Sequence, residues 1–203
     1  MSPESAAVFG LSCIGFGFLP GPAMVQTVSL SLLHGRRAGM LSALGIHLGG
    51  LVQVVAVAIG ATALLETSPL AYRVLKAAGG AYLIWLGIER LRHPRLAATP
   101  TAVPRHVVWS SALIEISNPK SALFYLAFLL QFVVPGAALA TGWQILLLGV
   151  AANLLFSIAD VASVVSAHAL RSRMMTGQRS VQVGQKLAGW LFIVLGVYAV
   201  VGH

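Results

Sequence analysis

Apolar residues in this chain run on in stretches of roughly 20 or more, and the polar and basic positions gather between them. A hydrocarbon core of about 30 Å takes roughly 20 apolar residues of helix to cross. The pattern predicts six such helices, at about Ala6 to Leu33, Ala38 to Leu65, Leu70 to Leu91, Val107 to Val134, Trp143 to His168 and Leu187 to Val201, the last being short. The predicted fold is an all-α polytopic membrane bundle, with 1–203 as one transmembrane domain and no room for a soluble one. The flank "MSPES" before the first span lacks a basic residue and carries Glu4, and the apolar run is longer than a signal peptide's. The first span is therefore expected to stay in the mature protein.

The pattern is interrupted twice. "FLPGPAM" places Pro20, Gly21 and Pro22 inside the first span, and "ISNPKSA" places Asn118, Pro119 and Lys120 inside the fourth. Proline removes a backbone donor and clashes with the preceding turn, so helices one and four are each expected to be kinked or split. The connection "RHPRLAATPTAVPRH" separates two halves of three helices, about 1–91 and 107–203, with 92–106 as the tether. Three is odd, so the second half crosses the membrane inverted relative to the first. The expectation is an inverted 3+3 repeat whose matching interruptions point to a binding site.

Composition agrees with a lipid solvent: 58% of residues are apolar and 9% charged, against about 25% charged in a soluble domain. Charge placement adds orientation. Arg36, Arg37, Arg90, Arg92, Arg95, Arg105, Arg171, Arg173, Arg179 and Lys186, ten of the thirteen basic residues, follow spans one, three and five. The opposite side holds Arg73 and Lys76. The basic side is expected to be cytoplasmic, so both termini face outward. These residues are scattered over connections without a nucleic-acid-binding motif, and topology accounts for them without a nucleic-acid partner. Cys13 stands alone and offers no internal disulfide or paired-cysteine redox chemistry.

At the second interruption Asn118 is a favoured helix N-cap and Pro119 a favoured first helical residue. Together they predict a fresh half-helix over Pro119 to Val134. Gly21 and Pro22 offer a weaker version of the same start. Helix starts carry unpaired N–H groups and partial positive charge, and Lys120 adds a full one, so the pair suits an anion, most simply a carboxylate. Two other readings stay open: the prolines as plain kinks satisfied by neighbouring helices, and Lys120 snorkelling to an interface.

Acidic residues at depth are few, namely Glu115 and Asp160. Asn153, Ser157 and Asp160, spaced by four and three, share one helical face expected to look inward. Asp160 is the first candidate for proton coupling and Glu115 the second, with a structural Asp160–Lys120 ion pair as the alternative. His47 and Gln53 fit either a path lining or plain interhelical hydrogen bonds. Gly45, Gly49, Gly50, Gly79, Gly80 and Gly87 have the spacing of close helix packing. No His, Cys or carboxylate cluster has metal-ligand spacing, no cofactor motif occurs, and no signature such as G-x-S-x-G or H-E-x-x-H favours a membrane enzyme.

"PGPAM", "HGRRAGMLSALGIHLGG", "LKAAGGAYLIWLGIERLR" and "NPKSALFYLAFLLQFVVPG", in that order, resemble the LysE/RhtB family of bacterial amino-acid exporters. The likeness runs from the first span into the fourth. Pro20, Gly21, Pro22, Gly35, Arg37, Gly39, Asn118, Pro119 and Lys120 match recurrent positions, while Leu130 stands where the family often has proline. The resemblance implies a six-helix inner-membrane exporter of amino acids or close derivatives, driven by protons. Metal-ion export within the same superfamily is the alternative, and a homo-oligomer is left open. The substrate-binding candidates are Pro20, Gly21, Pro22, Asn118, Pro119, Lys120 and Asn153.

The charge asymmetry makes one direct prediction. Reporter fusions after Leu65 and after Gly136 will read outside, and fusions near Thr99 and Gln178 will read cytoplasmic. A cytoplasmic C-terminus in the same assay would contradict the inverted repeat.

Overall fold

The computed structural model describes residues 2–19, 21–92, 106–134 and 136–170, and singly 190, 193, 194 and 197. Within them all regular structure is α-helical: α1 Pro3–Gly17, α2 Pro22–His34, α3 Arg36–Thr67, α4 Pro69–Arg92, α5 Val107–Ile116, α6 Pro119–Leu129 and α7 Thr141–Leu170. Apart from those four single positions, the expected sixth span lies outside the described residues, as do residues 93–105 of the expected linker and Pro20.

By length and composition α3 and α7 each suffice to cross a membrane, and α1 with α2 passes as one span bent by 55°. The distribution of side chains fits lipid outside and polarity inside. Leu11, Ile59 and Leu154 are each about two-thirds exposed, whereas Ser12, Thr27, Ser42 and Ser111 are fully buried. Lipid tolerates the exposed apolar surface, and the buried hydroxyls find partners within the bundle.

Helix α3 is the central element, packing on α2, α4, α5, α6 and α7, while α1 rests on α7 and α4 on α6. Glycine permits the closest approaches. A Cβ on Gly49 would stand 2.6 Å from the Ala112 carbonyl oxygen, Gly45 lies nearer still to that of Val108, and a Cβ on Gly79 would meet Ala127 Cα at 2.7 Å. These contacts press α3 against α5 and α4 against α6 at backbone distance.

Both expected interruptions exist, and local chemistry makes each. At the first, α1 ends at Gly17, Phe18 and Leu19 close its last turn onto Ile14 and Phe16, and α2 restarts at Pro22 with Gly21 as an extended N-cap. At the second, Ser117 caps α5, and Asn118 opens α6 by accepting from the Lys120 N–H at 3.1 Å, with Pro119 at the first helical position.

The fourth expected span ends earlier than its apolar run. Helix α6 stops at Leu129, with Leu130 as its cap, rather than reaching Val134. The Gln131 amide folds back to the Ala127 carbonyl at 3.0 Å. The Gln144 side chain holds the connection by accepting from Val134 N and donating to the Val134 and Leu139 carbonyls. A ladder of side-chain bonds thus replaces the last helical turn. The stop falls at Leu130, so the leucine found in place of the family's frequent proline does not prolong the helix.

Substituting Gly45 by Val would drive methyl groups into the α5 backbone, which cannot give way cheaply. Thermal unfolding in detergent should show a loss of at least about 1–3 kcal/mol, the usual cost of overpacking. Gly10→Ala, with nothing within 4 Å of the added methyl, should be neutral or mildly stabilising.

Candidate functional site

The two interruptions meet. Lys120 Nζ, from the second amino acid of α6, donates to the Leu19 carbonyl oxygen at 3.3 Å and stands 4.3 Å above the centre of the Phe16 ring. A Cβ on Gly21 would lie 3.1 Å from the same nitrogen, so the glycine leaves room for the ammonium beside the start of α2. The Gly21 N-cap makes no side-chain bond to α2. The free N–H groups of one helix start therefore open beside a lysine on the other.

Neighbours hold the second interruption in place. Besides capping α6, Asn118 donates its amide to Glu115 Oε2 at 3.1 Å and to Ser121 Oγ at 2.9 Å. Gln53 of α3 donates to three carbonyls around the gap, Glu115 at 2.7 Å, Asn118 at 3.2 Å and Ile116 at 3.3 Å; the first two also accept backbone N–H groups, from Asn118 and Ala122. Carbonyls at a helix break are costly in an apolar surrounding if left without donors, so Gln53 serves as the interhelical partner of the break alongside the local backbone bonds.

Across the cavity, α7 and α3 supply a second polar group. The Asn153 amide donates to the His47 carbonyl at 2.9 Å, and its oxygen meets His47 Nδ1. His47 Nε2 lies 3.2 Å from Asp160 Oδ2, an ion-pair distance outside hydrogen-bond geometry. Ser157 shares the helical face of Asn153 and Asp160, but its hydroxyl bonds back to the α7 carbonyls of Leu154 and Asn153.

The two polar groups border one cavity of about 50 Å³, to which Gly21, His47, Glu115, Asn118, Lys120, Asn153 and Asp160 contribute, with Gln53 and Ser157 outside its lining. That volume has room for a few water molecules. Phe16, stacked on Phe124 at 3.7 Å between ring centres, forms part of an aromatic wall. A buried hydroxyl chain, Thr27 to Ser42 at 3.3 Å and Ser42 to Ser111 at 2.9 Å, links α2, α3 and α5 about one turn from the cavity. Pro22 and Pro119 set the helix starts without lining the space. Tyr125 and Ser121 also line it and were not singled out by the sequence, although Asn118, Ser121 and Tyr125 are spaced by three and four on α6. Among the described residues no group of three or more His, Cys, Asp or Glu is placed to hold a metal ion.

Helices with lipid-compatible surfaces around a polar cavity built on two helix interruptions define a membrane protein of the transport class. The chain belongs to the LysE type translocator family, whose model matches residues 14–203. It is similar to a homoserine/homoserine lactone efflux protein of Salmonella typhimurium, 31% identical over 187 residues that make up 87% of this chain and 86% of that one. A leucine efflux protein of Enterobacter sp. is 27% identical over 180 residues, 86% of this chain and 85% of its own. An uncharacterized membrane protein of Vibrio cholerae is 35% identical over 129 residues, 62% of this chain, and the match spans 63% of that relative's length. A Pseudomonas aeruginosa membrane protein is matched over 60% of its length at 36% identity. No solved structure matches the chain.

Gln53→Leu keeps the side-chain bulk but leaves the Glu115, Ile116 and Asn118 carbonyls without their shared donor. It should lower the unfolding free energy in detergent by about 1–3 kcal/mol. An unchanged melting temperature would mean that the break is satisfied by other groups.

Proposed function

We infer that the protein exports amino acids or close derivatives across the bacterial inner membrane in exchange for protons, by alternating access. In this reading six spans form an inverted 3+3 repeat, with 92–106 cytoplasmic and both termini outside. The observation that carries it is the meeting of two helix starts and Lys120 in one cavity. A substrate carboxylate fits there, because the uncapped N–H groups at the start of α2 and the ammonium are donors and the dipoles of both helices favour negative charge. Asp160 stands across the cavity for the substrate ammonium, and Asn153 holds the wall beside it.

Proton coupling falls to the carboxylates at depth, Asp160 first and Glu115 second. Glu115 is already held by the Asn118 amide, whereas Asp160 faces His47. A cavity of about 50 Å³ is too small for a whole amino acid, so binding requires the helices to part, as alternating access demands. Efflux of leucine and of homoserine, named for relatives matching most of this chain, supports the substrate class.

Proteoliposomes test the assignment. Lys120→Gln should depress both substrate exchange and uphill export by about tenfold or more, the effect of losing one charge-assisted contact. Asp160→Asn should retain exchange between equally loaded sides at saturating substrate while losing export driven by a pH gradient. Undiminished transport by well-folded Lys120→Gln would remove the anion site, and gradient-driven export by Asp160→Asn would move the coupling to Glu115.

A further inference from the structure

The orientation of Asn153 decides which nitrogen of His47 can take up a proton. Its amide nitrogen is committed to the His47 carbonyl at 2.9 Å, so its oxygen is the atom turned to His47 Nδ1. An amide oxygen only accepts, hence Nδ1 must carry a hydrogen in either charge state of the ring. Neutral His47 is then the Nδ1–H tautomer, and Nε2 is its single titrating position. That nitrogen lies 3.2 Å from Asp160 Oδ2, and both residues line the cavity that also contains Lys120.

We propose that His47 Nε2 is the proton-carrying atom of the exchange, and that proton and substrate ammonium compete for Asp160. This rests on the export reading above but moves the carried proton from Asp160 to His47, leaving Asp160 as the carboxylate that both cations share, with Asn153 as a positioning residue that acts through His47. Sharing the cavity with the ring are Asp160 on α7, Glu115 on α5, and Lys120 and Tyr125 on α6, while α2 brings the uncharged Ala23 and Met24 to it. With Nε2 protonated, Asp160 is neutralised by imidazolium. An arriving ammonium would place a second cation on that one carboxylate, with Lys120 already present, and the low local dielectric magnifies the conflict.

Binding therefore breaks the Nε2–H bond. The electron pair stays on nitrogen, the proton passes to water on the open side, and the ammonium takes its place against Asp160. The substrate enters as a zwitterion and one proton departs, so the site keeps all but one positive charge of its carrier state plus a neutral guest. In the reverse orientation a proton from outside returns to Nε2 and expels the ammonium. One proton moves per substrate, and apparent affinity weakens about tenfold per pH unit once Nε2 is protonated.

The test uses the full chain in detergent with His34, His93, His106, His168 and His203 replaced by Gln, so that His47 alone reports in ¹⁵N-histidine NMR. L-leucine and L-homoserine serve as probes. The expected result is a neutral ring in the Nδ1–H form, which protonates at Nε2 on acidification and returns to Nδ1–H when a probe is added at that pH. About one proton should then be released per probe bound, read with a pH indicator in weak buffer. In the same background Asn153→Leu should move the neutral ring toward the Nε2–H tautomer, a change that loss of packing alone would not produce. A neutral Nε2–H ring without that substitution overturns the proposal. Proton release with an unaltered His47 signal also overturns it, while leaving proton-coupled export intact. If neither probe binds or releases a proton, the export reading fails instead, and the tautomer still decides the assignment at His47.

Discussion

A backbone freed from its helix in an apolar solvent has to be bonded again, and the arrangement of this protein follows from that requirement. Each interruption releases carbonyls on one side and N–H groups on the other. At the second, Gln53 supplies one amide to three carbonyls and Asn118 caps the new start. At the first, the Leu19 carbonyl receives the Lys120 ammonium from the opposite break. The acceptors at the gaps are bonded by local backbone turns and by side chains together, and Ala23 and Met24 at the start of α2 line the cavity.

The surroundings of the cavity differ in kind. Phe16, backed by the stacked ring of Phe124, forms one part of its boundary, while a buried chain of hydroxyls from Thr27, Ser42 and Ser111 lies about one turn along α2, α3 and α5. Stacked rings resist hydration, whereas hydroxyls exchange protein partners for water at little net cost. Glycines fix the contact between α3 and α5 at backbone distance, so these two helices behave as a unit.

What the sequence reveals is what short range decides. Asn118 and Pro119 announce the start of α6 because cap and first residue act within one turn, and the long apolar runs of α3 and α7 need no partner to be recognised. The end of α6 is different. It depends on Gln144, which reaches back ten positions to Val134, and no local signal in the apolar run records that. The pairing of His47 with Asn153 and Asp160 joins helices more than a hundred residues apart, so a lone histidine in an apolar stretch reads equally as packing or as function. Ser157 shows the limit of helical spacing. It shares the face of Asn153 and Asp160, yet its hydroxyl bonds to its own helix.

The central claim is that two facing helix starts and Lys120 recognise a carboxylate. Isothermal titration of the purified protein with the L-α-amino acid it binds best, and with the carboxamide of that same amino acid, tests it most directly. The carboxamide keeps the ammonium and side chain but lacks the negative charge, so it should bind about 10- to 100-fold more weakly, the usual effect of losing charge-assisted hydrogen bonds. Equal affinity for acid and carboxamide would contradict the claim.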